Sequence, residues 1–258
     1  MRFRTQLKLP HLLISGTVTA VITVCAVLAQ TPTAPTNTPD YKSNSAALIE
    51  AYRHVEVASV SDAAEQLLHQ RRFMSHSMRS IFPAKFAGTA LTVKLVKQEG
   101  TDSAAVSGML EAIDKGGPGS VYVMQIEDGA DVAGMGGLMG TAMSVRGFAG
   151  AVIGGGVRDL PQLTRIGFPV YALGPVPSTV VGHYRFAAMN VPIVCDGVSV
   201  SPNDIIAADA DGVVVIPREK AVEVLTLAQK LDNQEHSTYP LIEKLHSIVE
   251  AVKQFGRI

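Results

Sequence analysis

Apolar residues recur every three to four positions in "SAALIEAYRHV" (45–55) and "SVSDAAEQLLHQR" (59–71), a spacing that predicts two amphipathic helices. Ser61 or Asp62 stands where the second helix would be capped. The pattern turns β-like in "AGTALTVKLVK" (87–97) and "SVYVMQIED" (120–128), on either side of a helical stretch at 103–116. "GMGGLMGTAMSVRG" (134–147) predicts a helix led by glycines. After it come a strand at 149–154, a short helix "LPQLTRIG" and a strand "FPVYALG" (168–174). Further on, "VPIVCDGVSV" (191–200) and "NDIIAADADGVVVIP" (203–217) are strand-rich and split by turn residues. Asp209 and Asp211 fall where a tight turn would form. An amphipathic helical run closes the chain, from Arg218 to about Phe255. Strands and helices alternate in the middle and hairpins follow, so the pattern predicts an α/β fold with a mixed sheet flanked by helices.

The first residues follow a different rule. Arg2, Arg4 and Lys8 precede the apolar segment "LLISGTVTAVITVCAVLAQ", which carries Val27-Leu28-Ala29 near its end. A basic start, an apolar middle and a small-residue exit predict a secretory signal over 1–29. The chain would then be exported, in a bacterium to the periplasm. The apolar stretch is also nearly long enough to span a bilayer, so an uncleaved N-terminal anchor is the alternative. Residues 30–44, rich in Pro, Thr and Asn, predict a flexible leader, and 45–258 a single folded domain.

Removing residues 1–29 takes three of the 22 Lys+Arg and none of the 23 Asp+Glu, leaving a formal charge of −4. No basic block remains to neutralise phosphates, which argues against a nucleic-acid partner. A cleaved chain would also have no stable membrane contact. One cysteine would survive, Cys195 in apolar "VPIVCDG", which reads as a small buried hydrophobe rather than a reactive thiol. The seven histidines are dispersed and match no zinc spacing.

Candidate chemistry concentrates at 134–159. A helix opening on glycines leaves backbone N–H groups unpartnered and adds partial positive charge, a setting for an anion. The strand that follows ends in Gly154-Gly155-Gly156-Val157 and then presents Arg158 and Asp159. Ligands of open α/β sheets sit beyond such strand ends, and the glycines would let a ligand approach. Arg158 can clamp a carboxylate through two parallel hydrogen bonds. Asp159 is a hard oxygen donor of the kind Mg²⁺ or Mn²⁺ accepts. The plainer alternative is an Asp159 that caps the next helix and an Arg158 in a surface ion pair. G-x-G-x-x-G fails at Met139, and neither a P-loop nor G-x-S-x-G occurs.

These residues resemble the RraA-like proteins, a family that includes 4-hydroxy-4-methyl-2-oxoglutarate aldolases and oxaloacetate decarboxylases. The resemblance lies in "VSDA" (60–63), "GLMGTAMSVRGFAGAVI", "GGVRD" (155–159), "GFPVYALG" (167–174) and "VPIVCDGVSVSPNDIIAADADGVVVIP" (191–217). It implies a swivelling β/β/α fold, homotrimers or hexamers with sites between subunits, a divalent metal, and a small 2-oxo acid substrate. By match, Arg158 would bind the substrate's carboxylate or keto oxygen and Asp159 the metal. The amides of Gly136, Gly137, Leu138 and Met139 would cradle the carboxylate. Asp62 is the acid a neighbouring subunit would contribute, unless it is only a helix cap. The family's pattern places acids twenty-one and four residues before the arginine, where this chain has Gly137 and Gly154. The expected activity is a metal-dependent lyase that breaks a C–C bond of a 2-oxo mono- or dicarboxylic acid and releases pyruvate. The alternative is a non-catalytic oligomer that binds a carboxylate or a protein.

Overall fold

The computed structural model describes residues 41–100 and 103–255, so the signal at 1–29 and most of the leader lie outside the described residues. The leader's last residues are part of the fold: Asn44 accepts from the Ala47 amide as a helix cap, and Tyr41 packs on the core. Helices α1 (Ser45–Arg53) and α2 (Val57–Leu68) come first, followed by strands β1 (Arg79–Ser80) and β2 (Phe86–Lys97). Next are α3 (Ser107–Lys115), β3 (Ser120–Ile126), β4 (Ala133–Met135), α4 (Gly137–Val145) and β5 (Gly150–Val157). The chain continues through α5 (Leu160–Ile166), β6 (Val170–Pro175), β7 (Tyr184–Met189), β8 (Ile193–Cys195) and β9 (Val198–Val200). It ends with β10 (Ile205–Asp209), β11 (Gly212–Ile216), α6 (Ala221–Leu245) and α7 (Ile248–Phe255).

The main sheet is mixed, as the pattern predicts. Its order is β1-β6-β5-β3-β2-β10-β11, with β4 added on β5 and β7 on β2. Strands β2, β3, β5 and β6 run parallel, whereas β10 and β11 join antiparallel. Three apolar clusters hold the layers. On one face, Leu91, Tyr122, Met124 and Ile153 meet Ile113 of α3, Met139 and Met143 of α4, and Leu163 of α5. On the other, Val121, Val123 and Val152 meet the β8–β9 hairpin through Ile193, Cys195 and Val198. The third cluster packs α1, α2 and α6 against Ile205, Ala207, Val214 and Ile216. A fully buried side chain of this size contributes about 1.5–3 kcal/mol, so each layer is held by several such contributions. Among the described residues, no helix is long and apolar enough to cross a membrane.

Several expectations shift. Helix α2 begins at Val57, so Asp62 and Ser61 sit inside it and not at its N-cap, which is Glu56. Its first amides instead donate to carboxylates of distant elements: Glu56 N–H to Asp232 at 3.0 Å and Val57 N–H to Asp209 at 2.9 Å. Helix α4 starts at Gly137, because Ala133–Met135 pairs with β5 as a strand. Strand β5 runs on through the glycines to Val157, and β7 occupies a stretch where the pattern predicts nothing. The C-terminal helical run breaks at His246, whose backbone is left-handed (φ 50°). Cys195 is buried as expected; burial pushes its thiol up to about 12. Asp209 and Asp211 form the β10–β11 turn, with the Asp211 amide donating to the Asp209 side chain at 3.0 Å.

Candidate active site

Three strand ends meet where β4, β5 and β6 finish. Val157 closes β5, and the Arg158 amide donates to the Met135 carbonyl of β4 at 3.1 Å. On the other side, the Val176 amide, just past β6, donates to the Val157 carbonyl at 2.9 Å. The backbone then turns sharply at Asp159, which is left-handed (φ 58°), a conformation that aspartate tolerates better than most residues. Asp159 is the first flanking residue of α5, but its side chain makes no cap bond there. It reaches back to α4, and Oδ2 accepts from the Gly137 amide at 2.9 Å. The plainer reading of Asp159 as a cap of the next helix therefore fails, because its carboxylate is turned to the start of the preceding one. Its charge sits at the positive end of α4, where a carboxylate is favoured, and Oδ1 accepts no hydrogen bond from the described residues.

Two glycines make this approach possible. A Cβ on Gly136 would stand 2.5 Å from Asp159 Oδ2 and 3.0 Å from Arg158 Cγ, and one on Gly137 would stand 2.8 Å from Gln162 Cγ. The glycines of β5 serve a different purpose from the one the sequence suggests. A Cβ on Gly155 would meet the Gly129 carbonyl at 2.7 Å and one on Gly156 the Val176 side chain at 2.1 Å. They let neighbouring loops close on the strand; they do not line a ligand path. A Cβ on Gly154 would stand 3.0 Å from the Met124 carbonyl and 3.2 Å from Cys195 Sγ, on the hairpin side of the sheet. An acid there would not share a pocket with one at 137 in the same protomer.

Arg158 Nη1 donates to the Ser178 carbonyl at 3.2 Å, which fixes the guanidinium over the strand ends. Ser178 is itself fixed: its hydroxyl donates to the Asp131 carbonyl at 3.0 Å and accepts from the Ala133 amide at 3.1 Å. Neither Ser178 nor Gln162 is singled out by the sequence, because both act through contacts that only the fold creates. Gln162 packs in the space left by Gly137, with Nε2 donating to Thr141 Oγ1 at 3.0 Å and Oε1 accepting from Arg165. The position where the family's pattern has an acid is therefore closed off by an amide side chain.

The expected amide cradle is narrower than four residues. The Gly137 amide is taken by Asp159, while those of Leu138 and Met139 find no acceptor among the described residues. These groups open on a cavity of about 160 Å³ lined by Arg158, Asp159, Gly136, Leu138, Met139 and Val180, among others. A second cavity adjoins the same carboxylate through Gly137, Leu138 and Thr141. Leu138 lines both and is 90% exposed. Asp62 is exposed on α2 and lines neither cavity. Within one protomer the fold brings Arg158, Asp159 and the start of α4 together and leaves Asp62 apart.

The donor set suits a water-rich hard cation. Mg²⁺ commonly binds through one or two carboxylates and keeps several waters, and Asp159 Oδ1 is one such oxygen. Among the described residues, no group of three His, Cys, Asp or Glu side chains could enclose a metal.

A family model described as Aldolase/RraA matches residues 57–215. A protein of Halalkalibacterium halodurans with the provisional name 4-hydroxy-4-methyl-2-oxoglutarate aldolase is 29% identical over 185 residues, covering 70% of this chain and 82% of that one. A solved structure of an uncharacterized protein from Pseudomonas syringae superposes with a TM-score of 0.73 at 26% identity, covering 81% of this chain and 93% of the other. Streptomyces coelicolor RraAS2, described as an unusual member of the RNase ES inhibitor RraA family, gives 0.66 at 26% identity over 74% of this chain and 94% of its own. The match spans both the strand end that presents Arg158 and Asp159 and the β10–β11 hairpin, and the chain belongs to the RraA-like family with the RraA fold.

Proposed function

We propose that this protein is a lyase that cleaves a C–C bond of a 2-oxo carboxylic acid and releases pyruvate. One observation carries the reading: Arg158, Asp159 and the unpartnered amides of Leu138 and Met139 face one cavity at the strand ends. Arg158 and the two amides hold the substrate's carboxylate and oxo group by charge-assisted hydrogen bonds. Ser178 keeps the guanidinium in place while this happens. Asp159 would hold a Mg²⁺ or Mn²⁺ ion through its Oδ1, and such an ion would supply Lewis-acid chemistry at this end of the cavity. Asp62 of a neighbouring copy is the candidate for moving a proton, since Asp159 is the one acid among the described residues that line the cavity.

A homotrimer or hexamer fits the outer face of α4. Leu138 and Val145 lie seven residues apart on it, 90% and 83% exposed, more apolar surface than a solvated helix needs. Export of the chain rests on its basic and apolar first 29 residues.

A second reading has its own support. Gln162 fills the place of a family acid, so the site as built would also serve an oligomer that binds carboxylates without turning them over.

The test follows pyruvate release from oxaloacetate and from 4-hydroxy-4-methyl-2-oxoglutarate, using the full chain with Mg²⁺, with Mn²⁺ and with chelator. The lyase reading expects metal-dependent release that falls about 10²-fold or more in Arg158→Ala, the usual cost of removing a donor to developing charge. Binding of pyruvate with no release from either compound would favour the second reading.

A further inference from the structure

The hydrogen bonds that Gln162 makes beside Gly137 all run in one direction. Its Oε1 accepts from Arg165 Nε at 3.1 Å and from Arg165 Nη2 at 2.7 Å. A guanidinium offers no acceptor, so the carbonyl end of the Gln162 amide faces Arg165 and the NH₂ end faces α4. There Nε2 donates to Thr141 Oγ1 at 3.0 Å. The Thr141 hydroxyl, having accepted that bond, donates to the Gly137 carbonyl at 2.7 Å. A threonine bonded to the carbonyl four residues back is ordinary in a helix. Here the same hydroxyl is also tied through Gln162 to a cation. The Gly137 carbonyl shares a peptide group with the Leu138 amide, which finds no acceptor among the described residues. One chain of donors thus runs from Arg165 into the peptide whose N–H is left open at the start of α4.

The arrangement depends on glycine at 137. A Cβ there would stand 2.8 Å from Gln162 Cγ and 3.1 Å from Gln162 Cβ, and Gln162 would be pushed away from Thr141. Gln162 and Thr141 are half-buried, whereas Arg165 is exposed. Hydrogen bonds aligned head to tail polarise one another, and a peptide polarised at its carbonyl is a stronger donor at its N–H. We propose that Thr141, Gln162 and Arg165 are positioning residues that strengthen the Leu138 amide as a donor to a bound carboxylate. The proposal rests on the lyase reading of the strand ends and adds to it three residues that act through a backbone group. Arg158 meets the anion directly, and the chain acts from behind the peptide.

The test breaks single links while nearly keeping their size. Thr141→Val removes the hydroxyl, Thr141→Ser keeps it, and Gln162→Met removes both ends of the amide. Two quantities are read on the full chain: pyruvate affinity by calorimetry, and the proton chemical shift of the Leu138 amide without ligand. Thr141→Val and Gln162→Met should each weaken pyruvate binding about threefold, the scale expected from roughly 10–30% per aligned bond. Each should also move the Leu138 amide proton upfield. The two changes together should cost no more than either alone, within about twofold, because links in series are lost together. Thr141→Ser should keep both readouts at their original values, which a requirement for the threonine methyl group would not allow. If Thr141→Val does not fold, Gln162→Met at its half-buried position carries the test. Unchanged pyruvate affinity or an unmoved Leu138 proton in folded Gln162→Met would overturn the proposal and leave the lyase reading standing. Failure of the unaltered chain to bind pyruvate would overturn both.

Discussion

Two helices in this protein begin against carboxylates borrowed from other elements, and only one of them opens on the candidate site. At α2, Asp232 and Asp209 take the amides of Glu56 and Val57. The adjoining cavity of about 230 Å³ is lined by Val57, Ala58, Ser61 and Asp211 among others, with no cation among the described residues that line it. At α4, a single carboxylate takes a single amide, two more amides stay open, and Arg158 stands beside them. The positive end of a helix attracts an anion, but two fixed carboxylates satisfy that demand permanently at α2. The chain itself supplies the anion there. At α4 the protein's own negative charge is matched by an arginine, so the unmet demand is for a small anion from outside.

The comparison breaks most easily at Gly136. In Gly136→Ala the new methyl group would stand 2.5 Å from Asp159 Oδ2, and the carboxylate must move. The extended backbone there (φ −151°) accepts alanine, so the fold should survive. Affinity for pyruvate should fall about 10²-fold, the cost of an ångström-scale misplacement, as read by titration calorimetry beside an unchanged melting curve. The reverse outcome belongs to α2. Asp232→Ala should cost about 1–2 kcal/mol in urea unfolding, the range of a lost helix cap, with pyruvate affinity untouched.

A finer distinction comes from Asp159→Asn, which keeps the hydrogen bond to Gly137 and removes the charge. Denaturation should show a loss of only about 0.3–1 kcal/mol, whereas Mn²⁺ binding followed by its electron-spin signal should disappear. The smallest effect is at the α2 end. His236 Nδ1 lies 2.9 Å from the Asp232 carbonyl and Nε2 3.3 Å from Glu56. That carbonyl first, and then the carboxylates of Asp232 and Glu56, hold the imidazolium above the usual histidine range. A histidine raised in the folded state adds stability that is complete below its unfolded pKa of about 6.5. That stability fades as pH climbs through the raised folded value. His236→Gln should therefore lower the melting temperature slightly at pH 5.5 and leave it unchanged at pH 9.

Much of this was legible in the chain. Alternating patterns placed β2, β3, β5 and the helices between them, and the pair Arg158–Asp159 announced itself at a strand end. What escaped were the features that depend on distance along the chain. Glu56 meets Asp232 across 176 positions and Val57 meets Asp209 across 152, and no local pattern encodes such pairings, so the local pattern points to Ser61 or Asp62 for a helix that starts at Val57. Ser178 touches Arg158 through its backbone carbonyl, which carries no residue signature at all. Tyr184–Met189 pairs as β7 with β2 without a clean alternation, its burial running exposed and half-buried over most of its length. The glycines of β5 were visible, but their purpose, admitting the loops at Gly129 and Val176, was not.

The most direct test is a pyruvate titration of three full-length chains: the unaltered protein, Arg158→Ala and Asp232→Ala. If the end of α4 is the anion site and the end of α2 is closed, Arg158→Ala weakens binding by at least about tenfold, as loss of a charge-assisted hydrogen bond demands, and Asp232→Ala leaves it as it was. Pyruvate binding that survives Arg158→Ala, or that is lost in a folded Asp232→Ala, would contradict the assignment of the site.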